Sequence, residues 1–139
     1  MSQTWILLVE DDPDHEALAL RALRKTNIDV DVEVARSGVE ALDFLFRAPP
    51  CGREPVPRVV LLDLKLPQMS GFDVLRRLRS EERTRLVPVV VMTSSDDESD
   101  IVNSYSLGAN SFMQKPVNYD AFMETIREVG RHWLSQSRT

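Results

Sequence analysis

Val59-Val60-Leu61-Leu62-Asp63-Leu64-Lys65-Leu66-Pro67, with Ser70-Gly71-Phe72 close behind, is the stretch from which the architecture can be read. Four apolar residues in a row, two of them β-branched, mark a strand covered on both faces, the habit of parallel sheets. The run stops at a carboxylate, Asp63. A helical pattern with Phe72, Leu75 and Leu78 on its inner face then starts past Ser70-Gly71. Asp63 therefore closes a strand that feeds a helix, at the edge of the sheet where open α/β folds bind ligands.

Outward from this strand the same pattern repeats. Upstream, Trp5-Ile6-Leu7-Leu8-Val9 is a first buried strand, closed by Glu10-Asp11-Asp12. Pro13 suits the first turn of a helix, where its missing N–H leaves no bond unmade. The segment through Ala22 and Leu23 is rich in good helix formers and stops near Thr26-Asn27. Val30, Val32 and Val34 alternate with Asp31 and Glu33, a strand with one polar face whose charges suit a sheet edge. Ser37-Gly38 opens a second helix carrying Val39, Leu42, Leu45 and Phe46 at helical spacing. Prolines and a glycine make Ala48 to Arg58 a loop.

Downstream, Val87-Pro88-Val89-Val90-Val91-Met92 is another buried strand, ended by Thr93-Ser94-Ser95. Asp96-Asp97-Glu98 start a helix, with Ser95 near its cap, that runs through Ile101, Val102 and Tyr105 to Leu107-Gly108. A short strand over Ser111 to Gln114 leads to Lys115-Pro116. The last helix begins around Tyr119 and sets Phe122, Ile126, Val129 and Trp133 on one stripe. Five strands alternating with five helices predict an α/β fold, one parallel sheet covered on both faces.

The totals narrow the class. A length of 139 residues allows one domain with a proper core, and 1–139 reads as a single unit without an internal linker. A formal charge of -5 argues against a general nucleic-acid binder, which would present a basic face. No apolar run approaches the ~20 residues that span a bilayer, and no leader pattern opens the chain. A lone cysteine, Cys51, suits a reducing compartment, so the expected location is cytoplasmic.

Parallel strands bring their carboxyl ends to one rim, and four of those ends are polar: Glu10-Asp11-Asp12, Asp63, Thr93-Ser94-Ser95 and Lys115. Crowded carboxylates are costly unless a cation joins them. Oxygen-only ligands select a hard divalent ion, with Mg²⁺ the obvious candidate. The Thr93 hydroxyl and the Lys115 ammonium cannot hold that cation by charge; they suit an anion placed on Asp63. A phosphoryl group bridged to Mg²⁺ uses all of these groups at once. Aspartate is a competent nucleophile for phosphoryl transfer, giving an aspartyl-phosphate.

Ile-Leu-Leu-Val-Glu-Asp-Asp-Pro at 6–13, Leu-Leu-Asp-Leu-Lys-Leu-Pro with Ser-Gly-Phe at 61–72, Met-Thr-Ser at 92–94 and Gly-Ala-Asn-Ser-Phe-Met-Gln-Lys-Pro at 108–116 resemble the receiver domain of two-component response regulators. The likeness covers nearly the whole chain, in order and spacing. It implies a flavodoxin-like doubly wound (βα)5 fold with strand order 2-1-3-4-5. It implies that Asp63 takes a phosphoryl group from the phosphohistidine of a sensor histidine kinase. Asp11 matches the direct Mg²⁺ ligand, Glu10 a ligand acting through water, and the Lys65 backbone carbonyl the third protein ligand. Asp12, one place beyond the acidic pair, has a lesser claim to the ion. Thr93 and Lys115 match the switch hydroxyl and the phosphate-binding lysine, and Phe112 the switch aromatic. The Pro-rich loop at 48–58, Thr-Ser-Ser-Asp-Asp-Glu-Ser-Asp, Ala-Asn-Ser-Phe and the ending His132-Trp133-Leu134 are similar to stand-alone regulators serving bacterial phytochromes. That narrower likeness implies a bacteriophytochrome kinase as partner, no output domain, and a homodimer through the fourth and fifth helices.

Other classes fit less well. A haloacid-dehalogenase-type phosphatase also uses a strand-end aspartate with Mg²⁺, but it needs a second carboxylate two residues on, where Lys65 stands. A flavodoxin-like cofactor carrier needs a phosphate loop after the first strand, where Glu10-Asp11-Asp12 would repel phosphate. A pseudo-receiver would lack part of the acidic pair, acceptor, hydroxyl and lysine. The expected protein is thus a phosphoacceptor with self-phosphorylation and self-dephosphorylation chemistry only, not an enzyme acting on a separate substrate. His15 and His132 show neither metal-ligand spacing nor a neighbouring nucleophile. Tyr105 is either core-flanking or an interface residue, because the apolar stripe of its helix is thin.

Overall fold

Strands that are apolar on both faces leave water only when helices cover both sides of their sheet. The computed structural model describes residues 4–25, 30–48, 52–94, 97–114 and 120. It contains five strands, β1 (Trp5–Val9), β2 (Asp31–Ala35), β3 (Val60–Leu62), β4 (Val89–Thr93) and β5 (Ser111–Gln114). They form one parallel sheet in the order β2-β1-β3-β4-β5. Among the described residues the helices are α1 (Pro13–Arg24), α2 (Gly38–Phe46), α3 (Gly71–Ser80) and α4 (Glu98–Ser106). The architecture is the doubly wound one expected. Lys115, Cys51, Ser95, His132 and the last helix with Phe122, Ile126, Val129 and Trp133 lie outside the described residues.

The alternation of side chains along the central strands divides the core in two. Leu7, Val9, Val60, Leu62, Val89 and Val91 meet Ala41 and Leu45 of α2 and Val74, Leu75 and Leu78 of α3. Ile6, Leu8, Leu61, Val90 and Met92 meet Ala19, Ala22 and Leu23 of α1. β2 lies at the sheet edge, as its alternating charges suggested. Those charges are not left to solvent alone: Arg53 binds Asp31 at 3.0 Å and Glu33 at 3.2 Å. Burial pulls against the charge on Arg53, but the hydrogen bonds and charges of the two carboxylates outweigh it and raise its pKa.

Each described helix begins on a side-chain cap, which fixes where the preceding loop ends. Asp12 caps α1, Ser37 caps α2, Ser70 caps α3 and Asp97 caps α4. The α4 cap corrects the expectation that Ser95 would serve. A carboxylate two residues later accepts the Ser99 amide at 2.9 Å and its hydroxyl at 2.8 Å. These bonds hold the Asp97 carboxyl below its ordinary value. The cap is therefore fully present above the unfolded-state pKa of about 3.9 and is lost as pH falls through the lower folded value.

One packing expectation is also corrected. Val39 is exposed, because α2 turns Ala41 and Leu45 inward. The apolar stripe of α4 is thin, as the sequence suggested, with Ile101 half-buried. Ser104 is its buried residue, while Val102 and Tyr105 are 56% and 50% exposed. The small Ser104 side chain bonds back to the Asp100 carbonyl at 2.8 Å, which satisfies its hydroxyl inside the protein. Tyr105 is thus half-exposed on the surface of α4.

One guanidinium joins the ends of three elements away from the rim of Asp63. Arg79 of α3 donates to the Gly108 carbonyl (2.7 and 3.0 Å), the Val87 carbonyl (2.7 Å), the Arg85 carbonyl (3.1 Å) and Asn110 Oδ1 (3.0 Å). Asn110 Oδ1 also accepts the Val89 amide at 2.9 Å, where β4 starts. Burial lowers the Arg79 pKa. Gly108 has φ +101°, which favours glycine, and a Cβ there would crowd the Arg79 side chain, 2.8 Å from its Nε. Arg79→Ala leaves these oxygens short of donors. It is expected to lower unfolding stability by about 2–3 kcal/mol, read as a reduced urea midpoint at unchanged m-value.

Candidate functional site

The β1–β3 ladder decides where the acidic groups meet. Val9 pairs with Leu62, and the Asp63 amide continues the ladder by donating to the Val9 carbonyl at 3.1 Å. The Glu10 amide donates to the Ala35 carbonyl at 2.9 Å, on the other side of β1. Neighbouring strands therefore end side by side with a carboxylate on each. One oxygen each from Glu10, Asp11 and Asp63 lie within 4.8 Å of one another. Glu10 is 2% and Asp63 7% exposed, whereas Asp11 is exposed. Burying two carboxylates beside a third is unfavourable unless positive charge or hydrogen bonds offset it. The Asp12 amide donates to Glu10 Oε2 at 3.2 Å and the Lys65 amide to Asp63 Oδ1 at 3.1 Å. An all-oxygen donor set of this size fits a hard divalent cation, so the residues present suit Mg²⁺ or Mn²⁺.

Asp12, given a lesser claim to the ion, is engaged elsewhere. Its Oδ1 accepts the Asp14 amide at 2.8 Å and the His15 amide at 3.4 Å, capping α1. The cap sets the direction in which the chain leaves the acidic pair.

Lys65 contributes its amide to Asp63, a contact the sequence did not foretell, and its side chain points to solvent. The loop from Asp63 to α3 is tightly wound. The Met69 amide donates to the Pro67 carbonyl at 2.7 Å around Gln68, whose φ is +68°. This is a γ-turn with its central residue in the left-handed region, a conformation that costs energy and needs support. Support comes from α2 and α3. The Gly71 amide donates to the Leu64 carbonyl at 2.9 Å. A Cβ on Gly71 would overlap the Asp63 carbonyl oxygen and lie 2.7 Å from Leu64 Cα. A Cβ on Gly38 would lie 2.8 Å from Met69 Cβ. In sequence, Gly71 reads as the start of a helix; folded, it also sets how closely α3 approaches the acidic residue's backbone.

Thr93 ends β4 beside β3 and is fully buried. It pairs in register with Gln114, the last residue of β5. Lys115 follows in sequence and lies outside the described residues. Phe112 is half-buried, opposite Val91, against the core on the α2–α3 side. Of the predicted residues, Glu10, Asp11 and Asp63 are thus clustered, and Thr93 stands at the same rim.

His15 is the residue the sequence reading passed over. Its Nδ1 lies 3.6 Å from Asp12 Oδ2 and 3.9 Å from Glu10 Oε1. The available signal was its position three residues past a capping aspartate, which puts the two on one helical face.

Residues 6–127 match the model of the response regulator receiver domain. A probable methanogenesis regulatory protein, FilR2 of Methanothrix harundinacea (strain 6Ac), is 39% identical over 96% of this chain and 86% of its own. Response regulator Rcp1 of Synechocystis sp. is 33% identical over 93% of this chain and 88% of its own. The crystal structure of its Mn²⁺-bound form superposes with a TM-score of 0.87, covering 98% of this chain and 97% of that one. The phosphorylated cyanobacterial phytochrome response regulator RcpA superposes with a TM-score of 0.89 at 31% identity, covering 99% and 98%.

Gly71→Ala tests the packing beneath Asp63. The added methyl group forces the Asp63–Leu64 backbone to move, with an expected loss of about 1–3 kcal/mol in urea unfolding. Mg²⁺ affinity, measured by calorimetry on the folded variant, is expected to fall. An exposed alanine control, Arg76→Ala, is expected to leave that affinity unchanged.

Proposed function

The chain belongs to the response regulator receiver family of two-component signalling, and from this premise we propose that Asp63 accepts a phosphoryl group from the phosphohistidine of a sensor histidine kinase. The observation that carries the proposal is the meeting of Glu10, Asp11 and Asp63 oxygens within 4.8 Å at the strand ends, beside buried Thr93. One Asp63 oxygen attacks phosphorus, the phosphorus–nitrogen bond breaks, and the donor imidazole leaves with the bonding electron pair. Asp11, Asp63, the Lys65 carbonyl and Glu10, the last through water, would hold Mg²⁺ or Mn²⁺. When bound, that cation offsets the negative charge of carboxylate and phosphoryl oxygens as they approach. The Lys65 amide orients the Asp63 carboxylate. The Thr93 hydroxyl donates to a phosphoryl oxygen and the Lys115 ammonium neutralises another. Movement of Thr93 is followed by Phe112, which carries the change toward the surface.

The receiver signals through a change of its own surface, in the cytoplasm. Among the described residues no helix is long and apolar enough to cross a membrane. The likeness to a phytochrome response regulator supports a phytochrome kinase, a bacteriophytochrome in bacteria, as the donor. The outward Val102 and Tyr105 of α4 support a homodimer through the fourth and fifth helices. Its chemistry is confined to gaining and losing its own phosphoryl group.

With Mg²⁺, acetyl phosphate or a beryllofluoride salt is expected to modify the protein at Asp63, detected by intact mass or fluorine NMR, and Asp63→Asn to abolish it. Modification that survives the substitution refutes the assignment. Lys115→Ala is expected to impair the conformational response to beryllofluoride while keeping Mg²⁺ affinity within about threefold, because the ammonium addresses the anion and not the cation. Phosphotransfer profiling with a phytochrome kinase in the panel tests the donor.

A further inference from the structure

β5 has little in its own sequence to fix its position. It is 4 residues long, Ser111-Phe112-Met113-Gln114, and lies at the sheet edge with β4 as its ladder partner. Its apolar residues, Phe112 and Met113, are half-buried, one toward each core. A strand that buries so little specifies its register weakly. A slip of one residue moves it about 3.3 Å and turns every side chain to the other face. The register nevertheless decides what reaches the rim, because it sets Phe112 opposite Val91 and Gln114 opposite Thr93. Lys115, assigned above to the phosphoryl group, follows Gln114 in sequence.

The register is fixed at the opposite end, by the chain that feeds the two strands. Asn110 and Val89 exchange bonds: the Asn110 amide donates to the Val89 carbonyl at 2.8 Å, and the Val89 amide to Asn110 Oδ1 at 2.9 Å. Arg79 spans this pair from α3. It donates to the Gly108 carbonyl at 2.7 Å and Asn110 Oδ1 at 3.0 Å, which lead into β5, and to the Val87 carbonyl at 2.7 Å, which leads into β4. These acceptors are neutral oxygens, so the fork of the guanidinium, and not charge pairing, selects the arrangement. A slip of β5 would carry the Gly108 carbonyl out of hydrogen-bond range while the Val87 carbonyl stayed in place, so one register satisfies the fork.

Resting on the phosphoryl-accepting role proposed above, we propose that Arg79 is a positioning residue for that role: from the far end of the sheet it locks the β4–β5 register, and with it the placement of Phe112 and of the end of β5 beside Thr93. Its bonds go to none of Glu10, Asp11 and Asp63, so its loss is felt by the anion and not by the cation.

The experiment compares the wild-type full chain with Arg79→Gln, Asn110→Ala and a comparably destabilised control, Leu23→Ala, in the core beneath α1. Cross-strand NMR contacts between Val91 and Phe112 read the register, and fluorine NMR titration at saturating Mg²⁺ reads beryllofluoride affinity. Arg79→Gln and Asn110→Ala are expected to lose the contacts and to lower beryllofluoride affinity about tenfold, with Mg²⁺ affinity kept within about twofold. Leu23→Ala is expected to match the wild type in both readouts. Asn110→Ala removes one exposed link and carries the test if Arg79→Gln does not fold. Wild-type register and beryllofluoride affinity in the variants, an equal loss in Leu23→Ala, or a matching loss of Mg²⁺ affinity overturns the inference. If the wild type takes up beryllofluoride and the variants equal it, the acceptor role of Asp63 stands and only that of Arg79 falls. If the wild type does not take it up, both fall.

Discussion

Repulsion between carboxylates that the chain cannot move apart is the constraint on which this structure depends. Glu10 follows β1 and Asp63 follows β3, and the two strands are hydrogen-bonded neighbours. Both side chains are buried, and Asp11 brings a third charge to the same place. Amides of Asp12 and Lys65 point at the carboxylates and soften the repulsion. At ~4 Å separation two unit charges interact by about 1 kcal/mol in water and by about 4 kcal/mol near a protein surface. A divalent cation placed among these oxygens turns that repulsion into attraction.

The rest of the fold keeps the rim in that state. Strand order 2-1-3-4-5 puts β3 between β1 and β4, so Asp63 has the acidic pair on one side and Thr93 on the other. Behind Asp63, the strained turn at Gln68 is braced by α2 through Gly38 and by α3 through Gly71, where neither position has room for a side chain. In front, the Asp12 cap holds the start of α1 and with it His15. Away from the site, Arg79 ties α3 to the start of β4 and the loop after α4. α4 buries Ser104 and leaves Ile101 half-buried, while Val102 and Tyr105 face outward.

Much of this was legible in the sequence because it depends on period and order. Continuous apolar runs identify β1, β3 and β4, and the charges of β2 place it at the edge. The polar residues that close each strand identify the rim before any coordinates exist. What was not legible depends on distance between residues of different elements. His15 gains meaning from the direction in which a capped helix leaves Glu10. Arg79 reads as one more surface arginine until the α4–β5 loop folds over it. Gly71 reads as a helix start, although the Asp63 carbonyl is what its missing side chain accommodates. The α4 cap was misassigned because serine and aspartate both favour that position, and the choice between Ser95 and Asp97 depends on where the helix axis begins.

The most direct measurement is an anomalous diffraction map from crystals soaked in Mn²⁺ and beryllofluoride. The account predicts a manganese peak among the Glu10, Asp11 and Asp63 oxygens, with beryllium bonded to the remaining Asp63 oxygen. A manganese peak elsewhere, or beryllofluoride bound with Asp63 unmodified, contradicts it.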